Sequence, residues 1–178
     1  MRIAIGTDHA GFALKATVIE VIEQLGHVVL DCGAMDAQSS DYPDYARLAA
    51  EAILAGKAQR AVLLCGSGVG ISIAANKVPG IRAAICHDTY SARQAVEHDG
   101  LNVLCLGGRV IGPALAVELV RAFLDASDST ADRHRRRLEK VNRIEFDARR
   151  GRFGAPDHLG ERRFPAGPKG RDQRNQRI

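Results

Sequence analysis

The sequence predicts an α/β fold: a three-layer, doubly wound, five-stranded parallel sheet of Rossmann-like type with an extra C-terminal helix. Two observations carry this expectation. Short apolar runs at residues 2–6, 28–31, 61–65, 82–86 and 102–106 alternate with segments of helical spacing at about 11–25, 44–55, 69–77, 90–98 and 112–126. The run Ala61-Val62-Leu63-Leu64 is apolar without alternation, as a strand covered on both faces must be. Right-handed crossovers leave few arrangements, and the commonest five-strand order is 2-1-3-4-5. Ligands of such sheets bind above the carboxyl ends of strands one and three. Those two ends carry Asp8-His9 and Cys65-Gly66-Ser67.

Each helical segment has its own start and stop. Leu14, Val18, Val21, Ile22 and Leu25 form the apolar stripe of the first, and Gly26 ends it. Pro43 and Pro113 stand where the second and fifth begin, as suits a first turn. Pro79-Gly80 breaks the chain before the fourth strand. A sixth helix is expected over 129–145, with Arg133 and Arg137 four apart on one face. Past Phe146 the composition turns to Arg, Gly, Pro and Asp, too poor in apolar residues to fold by itself. The expectation is one domain, 1–146, followed by a basic, disordered tail, 147–178.

Charge follows that division. The net charge is +4, and residues 147–178 hold nine Arg or Lys against four Asp or Glu, so the body is near neutral. Nucleic acid is therefore not an expected partner, and Phe153 and Phe164 are the tail's only rings for stacking bases. No apolar run is long enough for a membrane span, and Met1 leads straight into a strand pattern without a charged-then-apolar leader. A cytoplasmic protein is expected. Cys32, Cys65, Cys86 and Cys105 form no CxxC pair and show no zinc-site spacing, so no metal is expected.

The stretch from Ala61 to Asn76 holds the chemistry. A strand ends in Cys65, glycines follow at Gly66, Gly68 and Gly70 with Ser67 and Val69 between them, and a helix begins. Glycines let backbone N–H groups approach a ligand, and a helix start favours an anion. A thiol beside such a cradle is a candidate base or nucleophile. Ile71 excludes the GxGxxG dinucleotide pattern and also the cysteine-phosphatase loop, which needs Arg there; no Gly-Lys-Ser/Thr of a P-loop follows. A tight structural turn is the plain alternative. So is a helix cap for Asp8, packing for Tyr42, a helix C-terminal cap for His98 and a solvated face for Arg133, Arg136 and Arg137.

Together these residues resemble the type B ribose-5-phosphate isomerases and the related galactose-6-phosphate and allose-6-phosphate isomerases. The resemblance covers about residues 1–145. It rests on Asp8-His9-Ala10-Gly11, Asp41-Tyr42-Pro43, Cys65-Gly66-Ser67-Gly68-Val69-Gly70, Ile73-Ala74-Ala75-Asn76-Lys77, Gly80-Ile81-Arg82-Ala83, Gly107-Gly108-Arg109 and Arg133-His134-x-x-Arg137. It implies an aldose–ketose isomerase of a small phosphorylated sugar, ribose 5-phosphate first, working through an enediol without metal or cofactor. Cys65 would be the base, and the loop N–H groups with Ser67 would stabilise the enediolate. His98 would help open the sugar ring by proton transfer. Asp8 and Tyr42 would hold hydroxyls, and His9, Arg109, Arg133 and Arg137 the phosphate. Asp99 stands where the family usually has Asn, which leaves an isomerase of another phosphosugar, or a non-catalytic phosphosugar-binding protein, as alternatives. A helix ending at His98 runs away from the strand ends that carry Cys65. A site shared between two subunits of a homodimer, or of a dimer of dimers, is therefore expected.

Overall fold

The computed structural model describes residues 1–153 and has the predicted fold class. In chain order its elements are β1 (Arg2–Thr7), α1 (Phe12–Gln24), β2 (Val28–Asp31), α2 (Tyr42–Leu54), β3 (Arg60–Cys65), α3 (Val69–Ala75), β4 (Ala83–Ile85), α4 (Thr89–Asp99), β5 (Val103–Gly107), α5 (Pro113–Asp125) and α6 (Asp132–Arg149). All strand pairs are parallel.

The sheet order is β2-β1-β3-β5-β4, so the last two strands exchange places relative to the expected 2-1-3-4-5. Burial explains the exchange. Strand β5, Val-Leu-Cys-Leu-Gly, is buried at every residue, whereas β4 is a three-residue Ala-Ala-Ile segment only half buried. A parallel strand apolar on both faces belongs inside the sheet, and a short, small-residue strand suits its edge. The exchange also moves α4. Stepping back from β4 to β5 with a right-handed crossover puts α4 on the opposite face from α3.

The core accordingly has two halves. Ile3, Ile5, Val62, Leu64, Leu104 and Leu106 face α1, α4 and α5, around Val18, Val96 and Phe123. Ala4, Ala61, Leu63, Cys65, Val103 and Cys105 face α2 and α3, around Ala46, Ala49, Ala50 and Ile71. This is the period of two along each strand. Helix α6 packs on α4 and buries only His134. It runs to Arg149, so the boundary expected at 146 falls inside it, and residues 154–178 of the expected tail lie outside the described residues. No described helix is long and apolar enough to cross a membrane.

Two thiols in the core resist ionisation. Burial, then Asp88, pushes Cys86 up to about 11. Burial, then the neighbouring Cys65 and Cys86, pushes Cys105 up as well. A raised thiol pKa stabilises the fold below the unfolded value of about 8.5, and that contribution is lost as pH climbs towards the folded value. Thermal midpoints should therefore fall between about pH 8.5 and 11. The Cys86→Ala/Cys105→Ala double variant should show a shallower fall, and an unchanged slope would remove the thiols as its cause.

Candidate active site

Cys65 ends β3 and lies 4% exposed. The chain then passes Gly66 and Ser67 and turns at Gly68, whose φ of 79° lies in the left-handed region that glycine tolerates. That turn aims the Gly68 N–H at the Cys65 Sγ, 3.1 Å away, while the Val69 N–H donates to the Ser67 Oγ at 3.2 Å. The loop thus fixes the Cys65 thiol at the strand end with an N–H donor directed at its sulfur. Gly70 serves another purpose. A Cβ there would come 2.8 Å from Tyr42 Cζ, so its absence lets the tyrosine ring lie against the first turn of α3.

The loop after β1 forms the second wall. Asp8 Oδ1 accepts from the N–H groups of Ala10 (2.9 Å) and Gly11 (3.0 Å), so the carboxylate caps the turn into α1 while Oδ2 makes neither bond. The capping reading and the functional reading of Asp8 are thus compatible. His9 is fixed by Ser40, which sequence reasoning missed. The His9 N–H donates to Ser40 Oγ at 3.2 Å, and His9 Nδ1 lies 3.2 Å from both the N–H and the carbonyl of Ser40. Only the distant Asp41-Tyr42-Pro43 motif hinted that this loop returns to β1.

Strand β5 supplies the third wall. The Gly108 N–H donates to the Cys65 carbonyl at 2.8 Å and the Arg109 N–H to the Gly66 carbonyl at 3.0 Å, which draws Arg109 over the loop. Asp8, His9, Ala10, Tyr42, Cys65, Gly66, Ser67, Gly70, Arg109 and Val110 line one cavity of about 440 Å³. A thiol, a carboxylate, a phenol, an imidazole and a guanidinium thus converge on a space that fits a small polar molecule.

The remaining predicted residues lie elsewhere. Helix α4 begins beyond the carboxyl end of β4 and runs back, so His98 in its last turn reaches the amino-terminal edge of the sheet. There His98, His134, Glu97, Asp128, Ser129 and Arg135 line a separate cavity of about 220 Å³. Arg133 and Arg137 stand exposed on α6 around it. Asp99 faces away from His98, into a wider, mainly apolar groove of about 670 Å³ between α6 and the edge strand β4. That groove is larger than the cavity at Cys65 but lacks its convergence of a thiol, a carboxylate and an imidazole.

A thiol, a carboxylate and an imidazole gathered at the switch point of a doubly wound sheet define an enzyme site for a small molecule. A family model described as Ribose/Galactose Isomerase matches residues 3–141. The chain is 50% identical over 127 residues to the D-erythrulose-4-phosphate isomerase of Pectobacterium atrosepticum, covering 71% of this chain and 84% of that protein. It is 43% identical over 144 residues to ribose-5-phosphate isomerase B of Escherichia coli, covering 81% of this chain and 96% of the relative. The solved structure of Clostridium thermocellum ribose-5-phosphate isomerase B matches with a TM-score of 0.80 at 44% identity, over 83% of this chain and 99% of that one. The chain belongs to the ribose/galactose isomerase family, and it is an enzyme of the sugar-phosphate isomerase class.

The cavity separates Cys65 from the other thiols. Cys65 lines it, while Cys32, Cys86 and Cys105 do not and carry raised pKa values. Iodoacetamide at pH 8 should alkylate Cys65 before Cys86 and Cys105, with activity lost in step. Peptide mapping against residual activity tests this, and prior labelling of Cys86 or Cys105 would contradict the assignment.

Proposed function

We propose that the chain interconverts ribose 5-phosphate and ribulose 5-phosphate by proton transfer through an enediol, without metal. The observation that carries this reading is the Cys65 Sγ held by the Gly68 N–H inside a cavity that also presents Asp8, His9, Tyr42 and Arg109. Cys65 takes the proton from C2 of the open-chain aldose and returns it to C1. Ser67 and the loop N–H groups from Gly66 to Gly70 stabilise the negative charge that develops on oxygen. Asp8 and Tyr42 orient hydroxyls. His9 and Arg109, with Arg133 and Arg137, hold the phosphate, whose binding energy positions carbons it does not react with.

His98 opens the furanose by proton transfer, and in this reading it comes from a second copy of the chain. The two clusters lie at opposite edges of one sheet, while the roles need both on one sugar. Exposed Val69 and Ile73 on α3, beside the Cys65 loop, offer an apolar surface for that second copy. Each homodimer then holds two shared sites. Asp99 follows His98 but lines the other groove, so it is proposed to bear on sugar preference only through the position of the α4 end.

The 50% identity to a D-erythrulose-4-phosphate isomerase favours a second reading, a tetrose 4-phosphate as substrate. Chemistry separates the two. A tetrose esterified at O4 lacks the hydroxyl that closes a furanose, so it needs no ring opening. Cys65→Ala should abolish turnover of either sugar. His98→Asn should lower kcat/KM for ribose 5-phosphate by about a hundredfold or more, the weight of one general acid–base group, and spare a tetrose 4-phosphate. Turnover in D2O should place deuterium on the product carbon. Preferred turnover of the tetrose would overturn the pentose reading, and full activity of Cys65→Ala would overturn the base.

Mixing the two variants tests the shared site. Co-expressed Cys65→Ala and His98→Asn chains should regain about a quarter of wild-type activity on ribose 5-phosphate, because half the dimers are mixed and each mixed dimer has one intact site. No recovery in purified mixed dimers would place each site within one chain.

A further inference from the structure

His134 stands in the first turn of α6, and it is 4% exposed, buried on a helix otherwise rich in exposed arginine. Its Nε2 lies 2.8 Å from the Nε of Arg133. A guanidinium Nε–H only donates, so His134 Nε2 must offer a lone pair, and the ring is neutral with its proton on Nδ1. On its other side the ring meets His98, with centroids 3.8 Å apart and planes at 67°. Its Nδ1 is buried towards the Glu97 backbone but reaches no partner at hydrogen-bond geometry among the described residues, the Glu97 carbonyl accepting from the Ser129 N–H at 2.9 Å.

We propose that His134 is a positioning residue: one neutral imidazole that holds the Arg133 fork for phosphate binding and braces the His98 ring for proton transfer. The proposal rests on the roles given above to His98 and Arg133. With its Nε engaged by His134, the Arg133 guanidinium keeps its terminal nitrogens for phosphate oxygens. With an uncharged ring against it, His98 gains a proton without a second imidazolium in contact.

The charged and titratable groups facing the pair are Glu97 from α4, Asp128 from the segment before α6, and Arg133, Arg135 and Arg137 from α6. Burial, then His98, Arg133 and Arg137, holds the His134 imidazole below its usual range, while the Glu97 backbone opposes this. Protonation would cancel the lone pair that Arg133 uses, so the arrangement is intact at neutral pH and lost only in acid.

Two substitutions of the full-length protein divide the roles. His134→Phe keeps a ring against His98 and removes the acceptor. It should raise both the KM for ribose 5-phosphate and the inhibition constant of inorganic phosphate by about tenfold, with kcat within about twofold. His134→Gln restores an acceptor near the Nε2 position and removes the ring. It should keep KM near wild type and lower kcat. The ratio of wild-type to His134→Gln KM should rise as the pH is taken into the acid range, a comparison that cancels the substrate phosphate's own titration there. In the unmodified protein, 15N spectra at pH 7 should show His134 protonated on Nδ1 alone, a readout independent of whether either variant folds. A wild-type KM in His134→Phe, equal KM increases in both variants, or a proton on Nε2 would overturn the proposal. His98→Asn serves as the control: its full activity on ribose 5-phosphate would overturn the reading of His98, whereas its inactivity beside a wild-type His134→Phe would overturn the positioning role alone.

Discussion

The parallel pairing of β3 with β5 continues past the ends of both strands, through the bonds from the Gly108 N–H to the Cys65 carbonyl and from the Arg109 N–H to the Gly66 carbonyl. On the other side the Asp8 N–H donates to the Leu64 carbonyl at 3.2 Å, so β1 is tied to β3 beyond its own end as well. Three loops are thereby drawn together by backbone bonds before any side chain is considered. A Cβ on Gly108 would meet the Ala10 carbonyl oxygen at 2.8 Å, which is why the β5 end can close down on the loop after β1. Were β4 next to β3, His87 and Asp88 would follow the neighbouring strand, and Arg109 would be carried a strand further from the thiol.

The side chains of the cavity are fixed in turn by groups outside it. Lys15 is buried on α1, where its Nζ donates to the Ala34 carbonyl at 2.7 Å and pairs with Asp31 Oδ2 at 2.7 Å. Asp31 Oδ1 takes the Gly33 N–H at 2.9 Å. A buried ammonium needs such partners to offset its desolvation, and here they pin the start of the segment that runs from β2 to α2. Ser40, near the end of that segment, then holds His9. Tyr42 follows within two residues and packs over Gly70. The orientation of His9 is thus set by Ser40 and that of Tyr42 by its packing over Gly70, at the far end of a segment whose start the charge pair pins.

Most of the fold was legible because its signals are local. Strand and helix periods, the prolines at first turns and the glycine stops each act within a few residues. The order of β4 and β5 departs from the commonest topology, and its signal is the bulk of Val-Leu-Cys-Leu against the small Ala-Ala-Ile. At the site, Cys65 and Asp8 were legible because a strand end at a switch point has a defined place. Ser40 and His134 were not, since each acts through a partner from a distant or different element. Ser40 meets a histidine 31 residues away, and His134 meets a ring on another helix.

The distance between the two clusters follows from the same winding. A helix that connects parallel strands must run antiparallel to them, so residues at its end are returned to the edge opposite the strand carboxyl ends. No single right-handed unit of this kind places both Cys65 and His98 on one small sugar. In the proposed reaction the cluster at Cys65 performs the proton transfer common to every aldose–ketose pair, and the cluster at His98 performs the ring opening that only a cyclic substrate demands. The first task is confined to a cavity built by three strand ends. The second is carried by α4 and α6, outside the sheet's binding edge, where His134 joins the ring-opening imidazole to an arginine. Substrate range can therefore change at the α4–α6 surface while the thiol and its Gly68 donor remain as they are.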